Sequence, residues 1–333
     1  MLNMDSSELY SGNGIMKTIT LRTAVPDRDF GQLAAWFTSF EDEPTSESHL
    51  KEYYEKQKER ITHRVAEDEH GELLGFYWAT RDRLVSDQLS FDLFVKQGGR
   101  GQGVGGLLYD DLLQAVDKSQ INKLRTSVWD SCPECRTFAE RCGFTELRHH
   151  FGMALDMDGF DDQPYDEVIT RLESDGFQFT SMEELGNTQA LQRKLYILND
   201  TAASTTPGTE EEHPWASFED FQKSVCQSDW YKPGGQIVAI DTSTGAWAGM
   251  SAITRLEGND YAYNLFTGVD MAYRGRKLGQ AVKVLALRYA RTILKTNKVR
   301  THHNTKNLPM IAIDRKFGYI QMRGTFLMEK ILG

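Results

Sequence analysis

Two short segments combine arginine with glycine at nearly the same spacing, and both have residue types that can bind a phosphate group. The first is RGQGVG at residues 100–105 and the second is RGRKLG at residues 274–279. Each follows an apolar, strand-like run and precedes apolar residues at helical spacing. A glycine-rich turn into a helix presents backbone N–H groups at the positive end of the helix dipole, and glycine lets a phosphate approach closely. The sequence therefore predicts two pyrophosphate-binding loops, which we call the first cradle (100–106) and the second cradle (274–280).

The elements around the cradles occur twice, because the chain repeats itself with an offset of 174 residues. After one inserted residue the repeat continues, and Gly143-Phe144 matches Gly318-Tyr319. Such a long repeat indicates a duplication, and a length of 333 residues also favours two domains. The other matched pairs are Gly71 and Gly245, Gly75 and Gly249, Arg81 and Arg255, Val95 and Val269, Arg100 and Arg274, Gly101 and Gly275, Gly105 and Gly279, and Asp130 and Asn304.

Each copy predicts the same succession of strands and helices. A first strand (KTITLR or GFQFTS) precedes a helix, predicted near residues 27–40 and 183–198, and then a pair of strands around a turn. A fourth strand (LSFDLFV or YAYNLFTGV) enters the cradle, and a helix follows it. A fifth strand (KLRTSVW or KVRTHH), a short helix and a final strand pair ending at Met157 or Ile331 complete each copy. In the second copy a further helix is predicted over Trp215–Val225.

We divide the chain into a loose N-terminal tail (1–16), a first domain (17–157), a linker with a connecting helix (158–175) and a second domain (176–333). The linker prediction rests on the acidic stretch MDGFDDQPYDE. No apolar run is long enough to span a bilayer, and the N-terminus does not resemble a signal peptide. A net charge of −10 disfavours nucleic-acid partners. We therefore expect a cytoplasmic protein without membrane or nucleic-acid partners, either a monomer (a pseudo-dimer by duplication) or a homodimer.

The first cradle also admits a different class of protein. Residues Gly101–Gly106 satisfy the dinucleotide-binding pattern G-x-G-x-x-G, and Asp130 ends the next strand, where a ribose-binding acid would lie. However, that pattern normally follows the first strand of its unit, whereas several strands precede it here. The second cradle also breaks the glycine spacing. A dinucleotide-dependent oxidoreductase is therefore the weaker alternative.

The two copies resemble the GCN5-related N-acetyltransferases (GNATs) over residues 17–157 and 176–332. Val95 and Arg100–Gly105 are similar to the R-x-x-G-x-G/A acetyl-CoA loop of that family. The segments TGV (267–269), YRGRKLGQAVK (273–283) and THHNTKNLPMIAIDRKFGY (301–319) resemble the C-terminal half of tandem acetyltransferases of the mycothiol synthase-like kind. The resemblance implies an α/β (α+β) fold of two tandem domains. Each would have a mixed, mostly antiparallel central sheet flanked by helices, in which strands four and five splay apart.

The resemblance also implies acetyl-CoA as co-substrate, with no metal. Lys277 departs from the family motif, which has a glycine there, although the tandem branch accepts a basic residue. Its implied binding residues are Val95, Arg100, Gly101, Gln102, Gly103, Val104, Gly105 and Gly106 in the first copy, and Val269, Arg274, Gly275, Arg276, Lys277, Leu278, Gly279, Gln280, Asn304 and Asn307 in the second.

Acetyl transfer to an amine needs a base that takes the amine proton and a donor that polarises the thioester carbonyl. In the family these groups lie near the splay, so the candidates are Asn264, His302 and His303 in the second copy and Asp92 in the first. Histidine has a suitable pKa, and strand alternation directs only one of the two histidines to the cleft. Each candidate also has an ordinary structural interpretation. The tyrosine that many family members use as an acid is replaced by Ala139 in the first copy and by Asp314 in the second; Asp314 is either a substituted acid or an ordinary helix-face charge.

The sequence thus predicts an acetyl-CoA-dependent N-acetyltransferase in which a primary amine of a small molecule or peptide attacks the thioester directly. We expect both copies to bind CoA and the second to be the better candidate for chemistry. Because both copies lack the family's tyrosine, the alternative is a non-catalytic acyl-CoA sensor or scaffold with degenerate domains.

Two further clusters have competing interpretations. The segment around CPEC, with Cys142, His149 and His150, has ligand types that bind zinc, but the spacing fits no compact zinc module, so we expect reduced thiols. The acidic and aromatic residues of the second copy form either a mouth for a cationic amine or ordinary core packing. They are Glu210–Glu212, Trp215, Phe218, Trp230 and Tyr231.

Overall fold

The computed structural model describes residues 5–10, 16–40, 45–116, 120–209, 213–256 and 258–332. Contacts divide the chain into two compact units. Unit 1 comprises residues 1–128, 134–147 and 327–333, and unit 2 comprises residues 129–133 and 148–326. Among the described residues, no helix has the length and hydropathy needed to cross a membrane.

The first copy alternates strands and helices in the predicted order. Its strands are β1 (Asp5–Tyr10), β2 (Met16–Arg22), β3 (Ile61–Glu67), β4 (Leu73–Arg81), β5 (Gln88–Val95), β6 (Lys123–Trp129) and β7 (Thr145–Asp156). Its helices are α1 (Pro26–Phe40), α2 (Glu47–Gln57), α3 (Val104–Ala115) and α4 (Pro133–Arg141).

The second copy repeats this order after α5 (Asp166–Ser174), which lies in the predicted linker. Its strands are β8 (Phe177–Ser181), β9 (Gln236–Asp241), β10 (Trp247–Thr254), β11 (Ala262–Val269), β12 (Lys298–Asn304) and β13 (Ile320–Ile331). Its helices are α6 (Gln189–Ser204), α7 (Phe218–Phe221), α8 (Leu278–Thr292) and α9 (Leu308–Phe317).

Each unit has a mixed, mostly antiparallel sheet, as the resemblance to the GNAT family implies. In unit 1 the strand order is β1-β2-β3-β4-β5-β6-β13, and in unit 2 it is β7-β12-β11-β10-β9-β8. The pairs β5–β6 and β11–β12 are parallel. The final strand of each copy is divided between the units: residues 148–156 of β7 belong to unit 2, and residues 327–331 of β13 belong to unit 1. In unit 2, β12 pairs along its whole length with β7, from Lys298 opposite Asp156 to Asn304 opposite His150.

Apolar side chains cover both faces of the sheet in unit 2. On one face, α8 buries Leu278, Val282 and Leu287 in a cluster that includes Val299 of β12. On the other face, α6 buries Leu195 and Leu198 with residues of β9 and β10. Each such buried side chain contributes about 1.5–3 kcal/mol. The sheet is therefore held rigidly between α8 and α6, and the strand ends that form the site are fixed in place.

The parallel strands separate at their C-terminal ends, which confirms the predicted splay. In unit 1, β5 and β6 pair at three positions, from Gln88 with Lys123 to Ser90 with Arg125. In unit 2, β11 and β12 pair only at Ala262 with Val299 and at Tyr263 with Arg300, within the described residues 258–332. The remaining residues of both strands diverge, so the edge of β11 is open beside the second cradle.

Several predicted elements are corrected by the structure. Residues 5–10, predicted to belong to a loose tail, form β1, which pairs antiparallel with β2 because an edge strand offers unpaired backbone groups whatever the side-chain pattern. The predicted final strand pair is one continuous strand in each copy. The helix predicted over Trp215–Val225 starts at Phe218 and continues as a π-turn over Gln222–Cys226. Helix α2 was not predicted, since its apolar residues are few and only Leu50 is buried.

Candidate functional site

The two cradles have the same backbone conformation. Gly101 and Gly275 have φ of 73° and 80°, and the residues two positions later, Gly103 and Lys277, have φ of 84° and 69°. In both loops the arginine Nε donates to the carbonyl of the valine five residues earlier, at 3.2 Å from Arg100 to Val95 and at 3.1 Å from Arg274 to Val269. Helices α3 and α8 begin directly after Gly103 and Lys277.

The cradles fit a pyrophosphate. The N–H groups at the start of α3 and α8 lie at the positive end of each helix dipole, where an anion is stabilised. A Cβ on Gly101, Gly106 or Gly275 would have no atom of the described chain within 4 Å, so these positions face open space. Arg276 and Lys277 add positive charge to the second cradle. Gln102 instead donates to the carbonyl of Gly98 at 2.6 Å, so its amide braces the first cradle.

A β-bulge distinguishes the second copy from the first. Gly249–Ala252 of β10 pair regularly with β11 down to Phe266, but the next residue, Ile253, lies opposite Asn264. Leu265 is therefore an extra residue in β11. Along β4 and β5, both within the described residues 45–116, the register runs without a shift. The bulge lies just beyond the last parallel pair of β11 and β12, where it re-aims backbone groups into the splay.

Asn264, predicted as a catalytic residue, lies inside this bulge and is 1% exposed. Its Nδ2 donates to the Ala252 carbonyl at 2.9 Å and to Ser251 Oγ at 3.0 Å, and its Oδ1 accepts from Thr267 at 3.1 Å. The Asn264 side chain thus supplies hydrogen bonds to groups that the bulge leaves outside the regular pairing of β10 and β11. Thr301 Oγ1 donates to the Asn264 carbonyl at 3.0 Å and joins β12 to β11 where their backbone pairing stops.

His302 and His303 point to opposite faces of β12, as strand alternation predicts. His302 reaches solvent, and its Nδ1 lies 2.8 Å from Tyr263 Oη. Protein nevertheless surrounds the ring closely; this desolvation, with the nearby His303, lowers the pKa of His302 below its ordinary value. His302 is therefore the histidine that a substrate can reach.

His303 belongs instead to a buried polar network. Its Nε2 lies 2.6 Å from Asp314 Oδ2, and the other oxygen of Asp314 forms an ion pair with Lys283 of α8. Lys283 and Asp314 are fully buried, and the Lys283 ammonium lies 4.9 Å from the centre of the Tyr319 ring. Burial raises the pKa of Asp314, but Lys283 and His303 outweigh it and hold the pKa below its usual range. Asp314 is thus a buried anion that joins α8, α9 and β12, and not an ordinary helix-face charge.

The asparagines predicted to contact the cofactor lie at the end of β12. Asn304 is buried; its Nδ2 donates to the Gly208 carbonyl at 3.1 Å, and its Oδ1 accepts from the Lys306 N–H at 2.9 Å. Asn307 precedes α9. Arg274 of the second cradle contacts Thr205, at 3.3 Å between Nη1 and the carbonyl oxygen. The segment after α6 therefore touches both the second cradle and the end of β12.

The first copy has fewer polar groups at its splay. Asp92 is half-buried opposite Trp78 on β4. The strand registers place Ser90 where the second copy has Tyr263, since each is the last residue of its strand paired with an arginine of the fifth strand. Two residues after those arginines, Ser127 of the first copy corresponds to His302 of the second. The same count corrects the predicted match of Asp130 with Asn304: Trp129 matches Asn304, because the inserted residue lies before the fifth strand.

Sequence reasoning missed two groups beside His302. Tyr263 was not a candidate, because its place two residues before the bulge is visible only in the register of β10 and β11. His150 comes from β7, opposite Asn304, and its pKa is lowered to about 4 by burial and by the charges of His302, Arg148 and His149. Only the pairing of β7 with β12 brings it near the second copy's site, which no local pattern shows.

The described cysteines comprise one disulfide-bonded pair and two free thiols. Cys132 and Cys135 are disulfide-bonded, which corrects the expectation of reduced thiols for this pair. Helix α4 starts between the two cysteines and brings them together. Cys142 and Cys226 are free.

Phe218 and Tyr231 are buried in the core under α6, and Trp215 and Trp230 pack against this core. These four aromatic residues therefore belong to the core packing of unit 2. Glu210–Glu212 lie outside the described residues.

Comparison with known proteins identifies a domain of a known family in the first copy. Residues 31–166 match the family model of the acetyltransferase (GNAT) domain. A sequence search of curated proteins finds no match.

Similar solved structures span both copies. A GCN5-related N-acetyltransferase from Sphaerobacter thermophilus is 18% identical with a TM-score of 0.67, over 94% of this chain and 95% of that one. A tandem GNAT protein from the clavulanic acid biosynthesis pathway is 18% identical with a TM-score of 0.64, over 99% of each chain. A glucosamine N-acetyltransferase region of a fungal GH3 β-N-acetylglucosaminidase is 16% identical with a TM-score of 0.72, over 94% of this chain and 38% of that one. At these identities the likeness concerns the fold. Residues 31–166 thus match a GNAT domain, and the fold of the whole chain resembles that of a solved tandem GNAT protein.

Proposed function

We propose that the protein is an acetyl-CoA-dependent N-acetyltransferase and that acetyl transfer takes place at the splay of β11 and β12. The observation that carries this proposal is the open edge of β11, which runs from the splay at Tyr263 and His302 to the second cradle. A pyrophosphate in the second cradle and an acyl chain along β11 would direct a thioester toward the splay. The open edge of β11 offers backbone groups to amides of such a chain, in the manner of an added strand.

The bulge supplies the polarising group. Leu265 and Phe266 together lie opposite Ala252, and a bulge of this kind leaves an N–H outside the ladder. Such an N–H, fixed by the contacts of Asn264, is a preorganised donor for the thioester oxygen. In this proposal Asn264 positions the donor and does not itself take part in proton transfer.

His302 is the base in this scheme. Because its pKa lies below the ordinary histidine value, its ring is neutral at neutral pH and can accept the proton of a primary amine that attacks the thioester. His303 cannot do this, since it is buried against Asp314. We propose a primary amine of a small molecule or peptide as acceptor, and a cytoplasmic location without nucleic-acid or membrane partners.

The test combines binding with turnover. We expect acetyl-CoA to bind in calorimetry and a panel of amines to include one that releases free CoA thiol. His302→Gln should lower turnover about 10²–10⁴-fold at unchanged acetyl-CoA affinity. Ser127→Ala, at the matching position of the first copy, should leave it unchanged. Absence of binding at millimolar acetyl-CoA would contradict the proposal.

A second role is favoured for the first copy. It has the cradle conformation and the splay but an unshifted β4–β5 register, and serines at the places of Tyr263 and His302. We therefore propose that the first copy binds acyl-CoA without catalysing transfer, with Asp92 as a half-buried carboxylate near its splay. Two bound CoA molecules per chain in calorimetry, with turnover lost only by changes in the second copy, would support this division.

A further inference from the structure

The chemistry of acyl transfer leaves one requirement unmet by the groups described so far. When an amine displaces a thiol, the amine loses a proton and the sulfur, released as a thiolate, must gain one. The helix positions that the sequence singled out for an acid hold Ala139 and Asp314. Asp314 is fully buried in its contacts with Lys283 and His303, so it does not reach a substrate.

Tyr263 has the geometry to meet this requirement. It is the last residue of β11 that pairs with β12, and its hydroxyl oxygen lies 2.8 Å from His302 Nδ1. Tyr263 is half-buried and His302 reaches solvent. The hydroxyl therefore crosses from one strand to the other at the point where the strands begin to separate, which is where a thioester in the splay would place its sulfur.

Resting on the proposed acetyltransferase function, we propose that Tyr263 is the catalytic acid and that it works with His302 as one proton relay. His302 starts as the neutral tautomer with its proton on Nδ1, donating to Tyr263 Oη. As the amine nitrogen bonds to the carbonyl carbon and the C–S bond breaks, the amine proton moves to His302 Nε2. The Nδ1 proton moves to Tyr263 Oη, and the Tyr263 hydroxyl proton moves to sulfur.

The step balances without a further reactant. One N–C bond forms and one C–S bond breaks, and one proton passes in effect from nitrogen to sulfur. Tyr263 ends in its starting state, and His302 ends as the other neutral tautomer, which exchange with solvent returns to the first. The charged or titratable neighbours of the pair include Arg300, which is paired with Tyr263 in the backbone and lies over the Tyr261 ring at 4.0 Å, and His150 on β7, whose pKa is lowered in part by His302.

The experiment is a mutant cycle on the full chain. Tyr263→Phe, His302→Gln and the double variant are compared in thiol release with acetyl-CoA and a turned-over amine, and Tyr261→Phe is the matched control. Tyr263→Phe should lower kcat about 10²–10⁴-fold at unchanged acetyl-CoA affinity. Because the two residues act as a unit, the double variant should be about as slow as the slower single variant. Tyr261→Phe should retain wild-type turnover.

Two kinetic results would overturn the relay alone: wild-type turnover in Tyr263→Phe, or a double variant whose loss is the product of the two single losses. A wild-type protein that binds acetyl-CoA but releases no thiol with any amine overturns the proposed function, and the relay with it. Nitrogen-15 spectra of His302 give a readout independent of turnover: the Nδ1–H tautomer should predominate in the wild type, and its predominance should be lost in Tyr263→Phe. An Nε2–H tautomer in the wild type contradicts the relay.

Discussion

Gly103 and Lys277 occupy the same position in the two cradles, and both have a left-handed backbone. Their φ values are 84° and 69°, and each is the residue directly before the helix. Glycine adopts this conformation freely, whereas an L-residue with a side chain pays about 1–2 kcal/mol for it. The second copy thus retains a strained residue that carries an ammonium group at the helix start, where a phosphate would bind.

Lys277→Gly should therefore separate stability from binding. We expect the free energy of unfolding to rise by up to about 1 kcal/mol as the strain is relieved, and acetyl-CoA affinity to fall because a positive charge is lost. Urea unfolding and calorimetry at two salt concentrations measure the two effects. Gly103→Lys is the reciprocal control and should lower stability by a similar amount. Weaker stability in Lys277→Gly would show that Lys277 makes a contact in the folded state that outweighs its strain.

Gly101→Asp and Gly275→Asp are a matched pair that tests the cradles separately. Both glycines have positive φ, and neither would bring a Cβ within 4 Å of another atom of the described chain, so the structural cost is similar. A carboxylate should repel the pyrophosphate in its own cradle. We expect Gly275→Asp to abolish turnover and Gly101→Asp to remove only one CoA site. The corresponding Asn variants have the same shape without the charge, and they should bind CoA better than the Asp variants. Loss of turnover in Gly101→Asp alone would assign the chemistry to the first copy.

The buried Lys283–Asp314 pair should be far more sensitive to single changes than to joint replacement. Asp314→Leu leaves the Lys283 ammonium without its counter-charge inside the core and should destabilise the protein by about 3–5 kcal/mol. Lys283→Met combined with Asp314→Leu should recover most of that loss, because neither charge is then buried alone. Chemical denaturation of the three variants measures this. A double variant as unstable as Asp314→Leu would show that the hydrogen bond from His303 dominates the network.

His63 should make the protein less stable in mild acid. It is 5% exposed, stacks on Trp78 with ring centres 5.0 Å apart, and burial lowers its pKa from 6.5 to about 4. As the pH falls, His63 is therefore protonated in the unfolded chain before it is protonated in the folded protein. Stability should be unaffected above pH 6.5 and should decline between pH 6.5 and 4, by roughly 3 kcal/mol in total.

His63→Phe keeps an aromatic ring at this position but does not titrate, so its unfolding free energy should change less between pH 7 and 4 than that of the wild type. His70→Gln changes an exposed histidine and is the control. An identical pH dependence in the wild type and His63→Phe would contradict this account.

Much of the fold could be predicted from the sequence, because the duplication gives two independent sequence patterns for each element. Val95 and Val269, with the arginines that follow them, located the fourth strand and the helix start in both copies. The bulge at Leu265 was not accessible, because one extra residue in a strand leaves the apolar pattern almost unchanged. His302 and His303 were identified as candidates, and strand alternation showed that only one of them could face the cleft.

The polar residues at the splay were harder to interpret. Asn264 has a residue type suited to chemistry, yet its side chain makes its hydrogen bonds within the bulge. Asp314 sits at a position that suggests an acid, yet Lys283, which makes it a buried ion, lies on another helix. Such partners are brought together only by tertiary packing. His150 required knowledge of a strand pairing far from it in sequence.

The division of β7 and β13 between the units has a consequence for how the protein is made. Residues 148–156 of the first copy belong to unit 2, and residues 327–331 of the second copy belong to unit 1. On the ribosome, unit 1 begins to emerge first but cannot acquire its last strand until almost the whole second copy has been synthesised. Until then the edge of β6 is exposed in the nascent chain, and a second chain at the same stage could supply the missing strand. Slow elongation should therefore favour intertwined dimers, in which two chains exchange β13.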